Sequence, residues 1–183
     1  NELSVFGEDG KLTEQRLQAL LDRGAALAMA VEEWTNKGGW ILARSDPDYP
    51  KRFRRRLRHL APPIVYGVGD RRRLEDGGVS MVGSRDSSDA ALAFVRDLAA
   101  RCAAEGISVV SGGARGVDQA SMDAALEAGG RVVGALANGL ATTARKKKYR
   151  KAIGDHRLTL TSAYHPNSRF AVWKAMGRNK HIY

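Results

Sequence analysis

The sequence contains a single cysteine, Cys102, among its 183 residues. One cysteine excludes an internal disulfide framework and cannot by itself form a zinc site. Its helical, alanine-rich surroundings favour a buried thiol over a reactive one. No apolar run approaches the roughly 18 residues of a membrane span, and the first ten residues lack the apolar core of a signal peptide. We therefore expect a soluble, cytoplasmic protein that does not enter a membrane.

Catalytic and metal-binding patterns are equally scarce. The four histidines are scattered without the spacing of metal ligands, and no GxSxG turn or Walker A loop is present. Ser84 and Ser111 lie in glycine-rich loops, but no nearby histidine or lysine stands out as a base. We expect these serines to donate hydrogen bonds to a phosphate or to cap helices, and we do not expect them to act as nucleophiles. We expect no catalytic residues, no metal and no cofactor, and hence no enzymatic activity.

Positive charge is abundant and unevenly distributed. Residues 1–50 carry five basic and nine acidic side chains, whereas residues 51–183 carry 25 and 11. The net charge of +10 therefore belongs to the larger C-terminal part. A domain this basic favours a polyanionic partner, most often a nucleic acid, although a merely basic soluble domain is the alternative.

The hydrophobic pattern predicts two parts. Residues 1–38 form a helical N-terminal extension, in which Thr13 caps the first helix, Leu17, Leu20 and Leu21 recur at helical spacing, and Gly24 ends it. From residue 39 to 183, short apolar strands alternate with helices, which predicts an α/β domain with a Rossmann-like, doubly wound, mostly parallel sheet. The predicted strands are 40–43, 64–66, 79–82, 107–110, 131–136 and 158–162, and the predicted helices are 51–60, 88–105, 117–128, 143–153 and 168–180.

Glycines concentrate where the predicted strands end. The loops are 83–85 (GSR), 111–116 (SGGARG) and 137–139 (ANG), and the turn 162–168 leads toward 178–180 (RNK). Ligands of open parallel sheets bind at these strand ends, where helix N-termini offer backbone N–H groups to anions. Arg85 and Arg115 would add bidentate bonds to phosphate. The alternative for 111–116 is a tight strand-to-helix turn.

Asp118 and the basic run 144–151 can each be interpreted in more than one way. Asp118 fits the first turn of a helix by the dipole effect, and it fits equally a residue that holds Arg115 or accepts a sugar hydroxyl. The basic run 144–151 is either a solvated face or a surface for single-stranded nucleic acid, with Tyr149 offering an aromatic plane to a base.

A set of motifs resembles the DprA/Smf family (DNA-processing protein A) over residues 40–183. The motifs are YP at 49–50, PP at 62–63, VGSR at 82–85, VVSGGARGVD at 109–118, ALEAGG at 125–130 and GRNK at 177–180. The resemblance implies a Rossmann-like domain that binds single-stranded DNA, protects incoming DNA in natural transformation and loads RecA in DNA recombination. The expected DNA- and phosphate-binding residues are Gly83, Ser84, Arg85, Ser111, Gly112, Gly113, Ala114, Arg115, Gly116, Asp118, Lys146, Lys147, Arg178, Asn179 and Lys180.

The sequence also departs from that family's pattern. Met122 stands where the family usually has histidine, the run ATTARKKKYR replaces a Tyr-Pro, and Ser162-Ala163-Tyr164 replaces Ser-Glu-Tyr. The family pattern continues beyond residue 183 into another strand and often a winged-helix domain. We therefore expect a divergent member truncated at its C-terminus. The resemblance implies RecA and a second copy of the chain as protein partners, and a truncation would remove part of the contacts to both.

A nucleotide-binding sensor or a phosphoribohydrolase-like enzyme is the alternative, because both use a related Rossmann-like fold. The hydrolases carry a PGGxGTxxE signature, and this chain has Ala137-Asn138-Gly139-Leu140 without the glutamate. A sensor or hydrolase would prefer mononucleotides, whereas a DNA-binding module would prefer oligomers.

Overall fold

The computed structural model of the protein describes residues 13–182, and the chain divides after Gly38 into two compact units. The first unit contains helices α1 (Glu14–Leu21) and α2 (Gly24–Asn36). The Thr13 side chain accepts a hydrogen bond from the Arg16 N–H at 3.3 Å, so the predicted helix cap is confirmed. Gly24 begins α2 rather than ending α1, because Asp22 and Arg23 already form the break between the helices.

The second unit begins at Gly39 and alternates strands with helices. Its strands are β1 (Gly39–Ala43), β2 (Ile64–Val68), β3 (Val79–Ser80), β4 (Val109–Ser111), β5 (Val132–Ala135) and β6 (Leu158–Ser162). Its helices are α3 (Lys51–Leu57, continued by a 3-10 turn at Arg58–Leu60), α4 (Arg73–Asp76), α5 (Asp89–Ala104), α6 (Val117–Glu127), α7 (Leu140–Ala144), α8 (Lys147–Gly154) and α9 (Val172–Asn179).

The strands form one sheet in the order β1-β2-β6-β5-β4-β3. The four strands from β6 to β3 run parallel, whereas β2 is antiparallel to both β6 and β1. The predicted α/β fold with a mostly parallel, Rossmann-like sheet is therefore confirmed. The carboxyl ends of β3, β4, β5 and β6 meet at one edge, which brings the loops that follow them together.

Both faces of the parallel strands are covered. Val110 and Val133 pack in one cluster with Leu74 of α4, while Gly134 lies against Met122 of α6 on the opposite face. The buried side chains of β4 and β5 explain why these strands are largely apolar instead of alternating. In β6, Thr159 and Thr161 alternate with leucines, yet all five residues are buried.

Several predicted elements have other bounds in the structure; β4, for example, covers Val109–Ser111 instead of 107–110. Strand β3 stops at Ser80 rather than residue 82. The helix predicted over 143–153 is two helices, because Lys146 is extended (φ −59°, ψ 129°) and separates α7 from α8. The last helix begins at Val172 instead of 168, since Ala171 is also extended.

Candidate nucleic-acid interface

Two adjoining clefts open where the parallel strands end. The first has a volume of about 460 Å³ and the second about 430 Å³. They share five lining residues, so we treat them as one groove; the shared residues are Arg85, Ala114, Phe170, Ala175 and Arg178. Of the predicted site residues, the groove brings together Gly83, Arg85, Gly112, Gly113, Ala114, Arg115, Asp118, Lys146, Arg178 and Asn179.

Five predicted site residues lie outside this groove. Ser111 is fully buried, and its hydroxyl donates to the Met81 carbonyl at 2.6 Å. Ser84 uses its hydroxyl within its own turn, where it donates to the Asp86 carbonyl and accepts from the Asp86 N–H, both at 3.0 Å. Gly116, Lys147 and Lys180 line neither cleft, and Lys180 borders a separate small cavity.

The glycines of these loops make room for other parts of the protein. The Arg178 guanidinium occupies the space where a side chain at Gly112 would lie. A Cβ at Gly116 would overlap the Ser84 carbonyl, and a Cβ at Gly83 would come within 2.7 Å of the Val117 side chain. The absence of side chains therefore lets the 83–85 loop close onto the start of α6, and it lets Arg178 lie over the 111–116 loop.

Asp118 and Arg178 form a buried pair beneath the groove. Their closest charged atoms, Oδ2 and Nη1, are 3.6 Å apart, and the two side chains are 5% and 6% exposed. Arg178 also donates through Nη1 to the Ala135 carbonyl at 3.0 Å. This pair joins α9, the start of α6 and the end of β5, so it sets the positions of three loops at once.

The carboxylate of Asp118 already engages some of the backbone N–H groups that were predicted to bind an anion. Gly83 donates its N–H to Oδ1 at 3.3 Å, and the N–H groups of Gly112 and Ala114 also face the carboxylate. Burial raises the pKa of Asp118, while Arg178 and these N–H groups oppose that rise. An anion in the groove would thus depend mainly on cationic side chains, because Asp118 already engages these backbone donors.

The expectation that Asp118 holds Arg115 is wrong. Asp118 is buried and faces Arg178, whereas Arg115 is 74% exposed and pairs with exposed Asp86 at 3.1 Å. Arg85 lies over the Phe170 ring, 4.8 Å from its centroid. Arg85 and Arg115 therefore present their charges at the groove surface, in contrast to the buried Arg178.

The basic run 144–151 divides between two roles. Lys146 lines the groove, but Lys148 pairs with Asp123 at 2.6 Å. Tyr149 is only 3% exposed, and its hydroxyl donates to Asp123 at 3.0 Å. Burial and the neighbouring Asp123 raise the pKa of this phenol. The prediction that Tyr149 offers its ring to a base is therefore wrong, because α8 turns the ring into the core.

Sequence reasoning missed an apolar wall of the groove. Phe170 lines both clefts, and Val172 and Met176 line the second. In the sequence, Val172, Trp173 and Met176 recur at helical spacing in the predicted last helix. Such a stripe ordinarily faces the hydrophobic core and does not indicate a binding surface. These side chains are instead exposed, with relative exposures of 48% for Phe170, 69% for Val172, 65% for Trp173 and 69% for Met176.

Within residues 13–182, no three His, Cys, Asp or Glu side chains are grouped as a metal site would need. Over the same residues, no helix has both the length and the apolar character needed to cross a membrane.

The architecture resembles two solved structures. One is DNA processing protein A from Streptococcus pneumoniae, with a TM-score of 0.67 and 23% identity over 86% of this chain and 53% of that one. The other is DNA processing protein A from Helicobacter pylori, a single-stranded DNA-binding protein, with a TM-score of 0.60 and 23% identity over 79% of this chain and 64% of that one. At this identity the likeness establishes the fold.

Sequence comparison identifies the family. Protein Smf from Synechocystis sp. (strain ATCC 27184 / PCC 6803 / Kazusa) is 32% identical over 116 residues, which cover 60% of this chain and 28% of the longer Smf protein. The family model of DNA recombination-mediator protein A matches residues 40–183, the whole sheet-containing unit except Gly39. The chain therefore belongs to the DNA recombination-mediator protein A family, the DprA/Smf family that its motifs resemble.

Proposed function

We propose that this protein binds single-stranded DNA in the groove at the carboxyl ends of β4 and β5. The observation that carries the proposal is the grouping of exposed Arg85, Arg115 and Lys146 around a cleft of about 460 Å³. Among the described residues that line the two clefts, Asp118 is the one acidic residue. It is buried against Arg178, so the accessible charge of the groove is positive.

The groove residues divide into two roles in this proposal. Arg85, Arg115 and Lys146 contact phosphates, because they are exposed and cationic. Asp118, Arg178 and the loop glycines position these cations by fixing the loops on which they lie. The 83–85 and 111–116 loops thus act as a preformed frame, and the arginines at their surface make the contacts.

The chemistry of the groove favours a single strand over a duplex. Its lining combines cations with an exposed phenylalanine and methionine. Single-strand binders combine a positive groove that follows the backbone with apolar surfaces for bases, and they show little sequence preference. The Helicobacter pylori relative, which binds single-stranded DNA, supports the same choice.

Fluorescence anisotropy tests this proposal directly. A labelled 20-mer of dT, the same oligomer in a duplex, and AMP as a competitor are compared at two salt concentrations. We expect the single strand to bind at least several-fold more tightly than the duplex, and we expect AMP to compete poorly. Equal or tighter duplex binding would contradict the proposal, and strong competition by AMP would favour a nucleotide-binding sensor.

Two neighbouring lysines provide a matched pair of variants. Lys146 lines the groove, whereas the adjacent Lys147 does not, and both are exposed. Lys146→Ala should weaken binding of the single strand, and Lys147→Ala should change it much less. Equal losses would indicate attraction by a diffuse basic surface, with no defined contact in the groove.

Family membership supports further proposals about the whole protein. We propose that it acts in DNA recombination and natural transformation, in the cytoplasm, as a DNA-binding protein without catalytic activity. We also propose RecA and a second copy of the chain as partners. Strand exchange by RecA in the presence and absence of this protein, and sedimentation of the protein alone, test the two partnerships.

A further inference from the structure

The end of the 163–171 loop and helix α9 expose four large apolar side chains beside the groove. Phe170, Val172, Trp173 and Met176 are between 48% and 69% exposed, and we call them the α9 stripe. Exposed apolar groups that lie together commonly mark a binding surface. Of the four, Phe170, Val172 and Met176 also line the groove, so the stripe is continuous with the proposed phosphate contacts.

Cationic groups lie on the rings of this region. The Arg85 guanidinium is 4.8 Å from the Phe170 centroid. Lys174 Nζ is 5.4 Å from the Trp173 centroid and 5.7 Å from that of Tyr164. Tyr164 in turn holds the Trp173 ring edge to face, with centroids 5.5 Å apart. The indole is therefore positioned by a neighbour while most of its surface stays accessible.

We propose that the α9 stripe stacks the bases of the single strand whose phosphates occupy the groove, with Trp173 and Phe170 as the two stacking residues. The inference rests on the proposed function. Charge complementarity selects the occupant, because cations beside exposed rings match a strand with anionic phosphates and flat apolar bases. A duplex hides its base faces and a mononucleotide offers only one base, so neither uses both features.

Abasic DNA separates stacking from phosphate contacts. Anisotropy is measured with a dT 20-mer and with a 20-mer of abasic sites, which has the same phosphates without bases. Trp173→Ala should weaken binding of dT by about 5- to 150-fold, the range for loss of one stacked base. The same variant should leave the weaker binding of abasic DNA unchanged. Trp173→Phe should retain most of the affinity for dT.

The matched control is Phe94→Ala. Phe94 is 70% exposed on α5 and lines neither cleft, so its removal should leave the affinity for dT unchanged. If Trp173→Ala weakened binding of the dT and abasic oligomers equally, the stacking proposal would be overturned, because the change would then act through phosphate contacts or folding. Unaltered dT binding by both Trp173→Ala and Phe170→Ala would also overturn it, while leaving the proposed function intact. Failure of the wild type to bind either oligomer would contradict the proposed function itself, and the stacking proposal with it.

Discussion

The guanidinium group of Arg178 lies over Gly112, in the space that any side chain at position 112 would fill. The same guanidinium reaches Asp118 at 3.6 Å and the Ala135 carbonyl at 3.0 Å. A glycine on the 111–116 loop and an arginine 66 positions later in the chain thus form one contact. The 111–116 loop and the GRNK motif at 177–180 depend on each other through it.

Gly112→Ala should destabilise the fold. The added methyl group overlaps Arg178, and overpacking of this kind costs about 1–3 kcal/mol. Urea unfolding of the purified protein measures the loss. The control is Gly154→Ala, since a Cβ at Gly154 in α8 meets nothing within 4 Å and alanine is the better helix former. Equal stability of the two variants would show that Arg178 moves aside without cost.

Asp118→Ala should be more damaging than a surface substitution. It leaves the Arg178 guanidinium buried without its carboxylate, and breaking a buried pair costs about 3–5 kcal/mol. The N–H of Gly83 loses its acceptor as well. Exposed Asp97→Ala in α5 is the comparison and should cost under about 1 kcal/mol. Similar midpoints of chemical unfolding for both variants would argue against a role of the pair in stability.

Arg115→Ala should weaken single-stranded DNA binding and flatten its salt dependence. Each phosphate contact contributes about −0.7 to the slope of log affinity against log salt, so the slope should become shallower by about that amount. The contact is exposed, and we expect a loss of about 1–2 kcal/mol at low salt, roughly 5- to 30-fold. Arg101→Ala is a matched control, because Arg101 is 75% exposed and also pairs with an aspartate. The role of Arg115 would be refuted by equal effects of the two changes.

Asp86→Asn should strengthen DNA binding. Asp86 is 93% exposed beside Arg115, so its negative charge repels a phosphate and competes for the guanidinium. We expect a gain of about two- to five-fold at low salt that disappears at high salt, as for other surface charges. Asp97→Asn, which alters the comparable pair on α5, should leave affinity unchanged. A loss of affinity in Asp86→Asn would mean that Arg115 needs this carboxylate for its position.

The unfolding free energy should fall as the pH drops from 7 to 5 because of His181. Burial, together with the charges of Lys180 and Arg178, lowers the pKa of His181 from 6.5 to about 4. The unfolded chain therefore binds a proton in this window while the folded chain does not, which costs about 2 kcal/mol by pH 5. His181→Phe should remove this part of the pH dependence, and His59→Phe at an exposed site should not. Parallel stability curves for the wild type and His181→Phe would contradict the assignment.

The fold class could be predicted from the sequence because its determinants are local. Apolar runs such as Val132–Ala135 alternate with helical segments, and that alternation leads to a mostly parallel sheet. The 83–85 and 111–116 loops followed from the same pattern, because loops after parallel strands meet at one edge. Local sequence predicts boundaries less well: the extended backbone of Lys146 divides one predicted helix in two, and that of Ala171 delays the start of another.

By itself, the sequence determined the positive charge of the sheet-containing unit, the glycine-rich strand ends and the family motifs. Tertiary structure alone decided which cations are accessible, because exposure depends on the packing of residues far apart in the chain. It buried Arg178 against Asp118, left Arg115 at the surface, and turned Tyr149 inward to Asp123. It also left Phe170 and Trp173 exposed beside the groove. Composition and spacing specify what each residue can do. The packing of α6 and α8 against the sheet, and the contact of Arg178 in α9 with the end of β5, select the neighbours with which it does so.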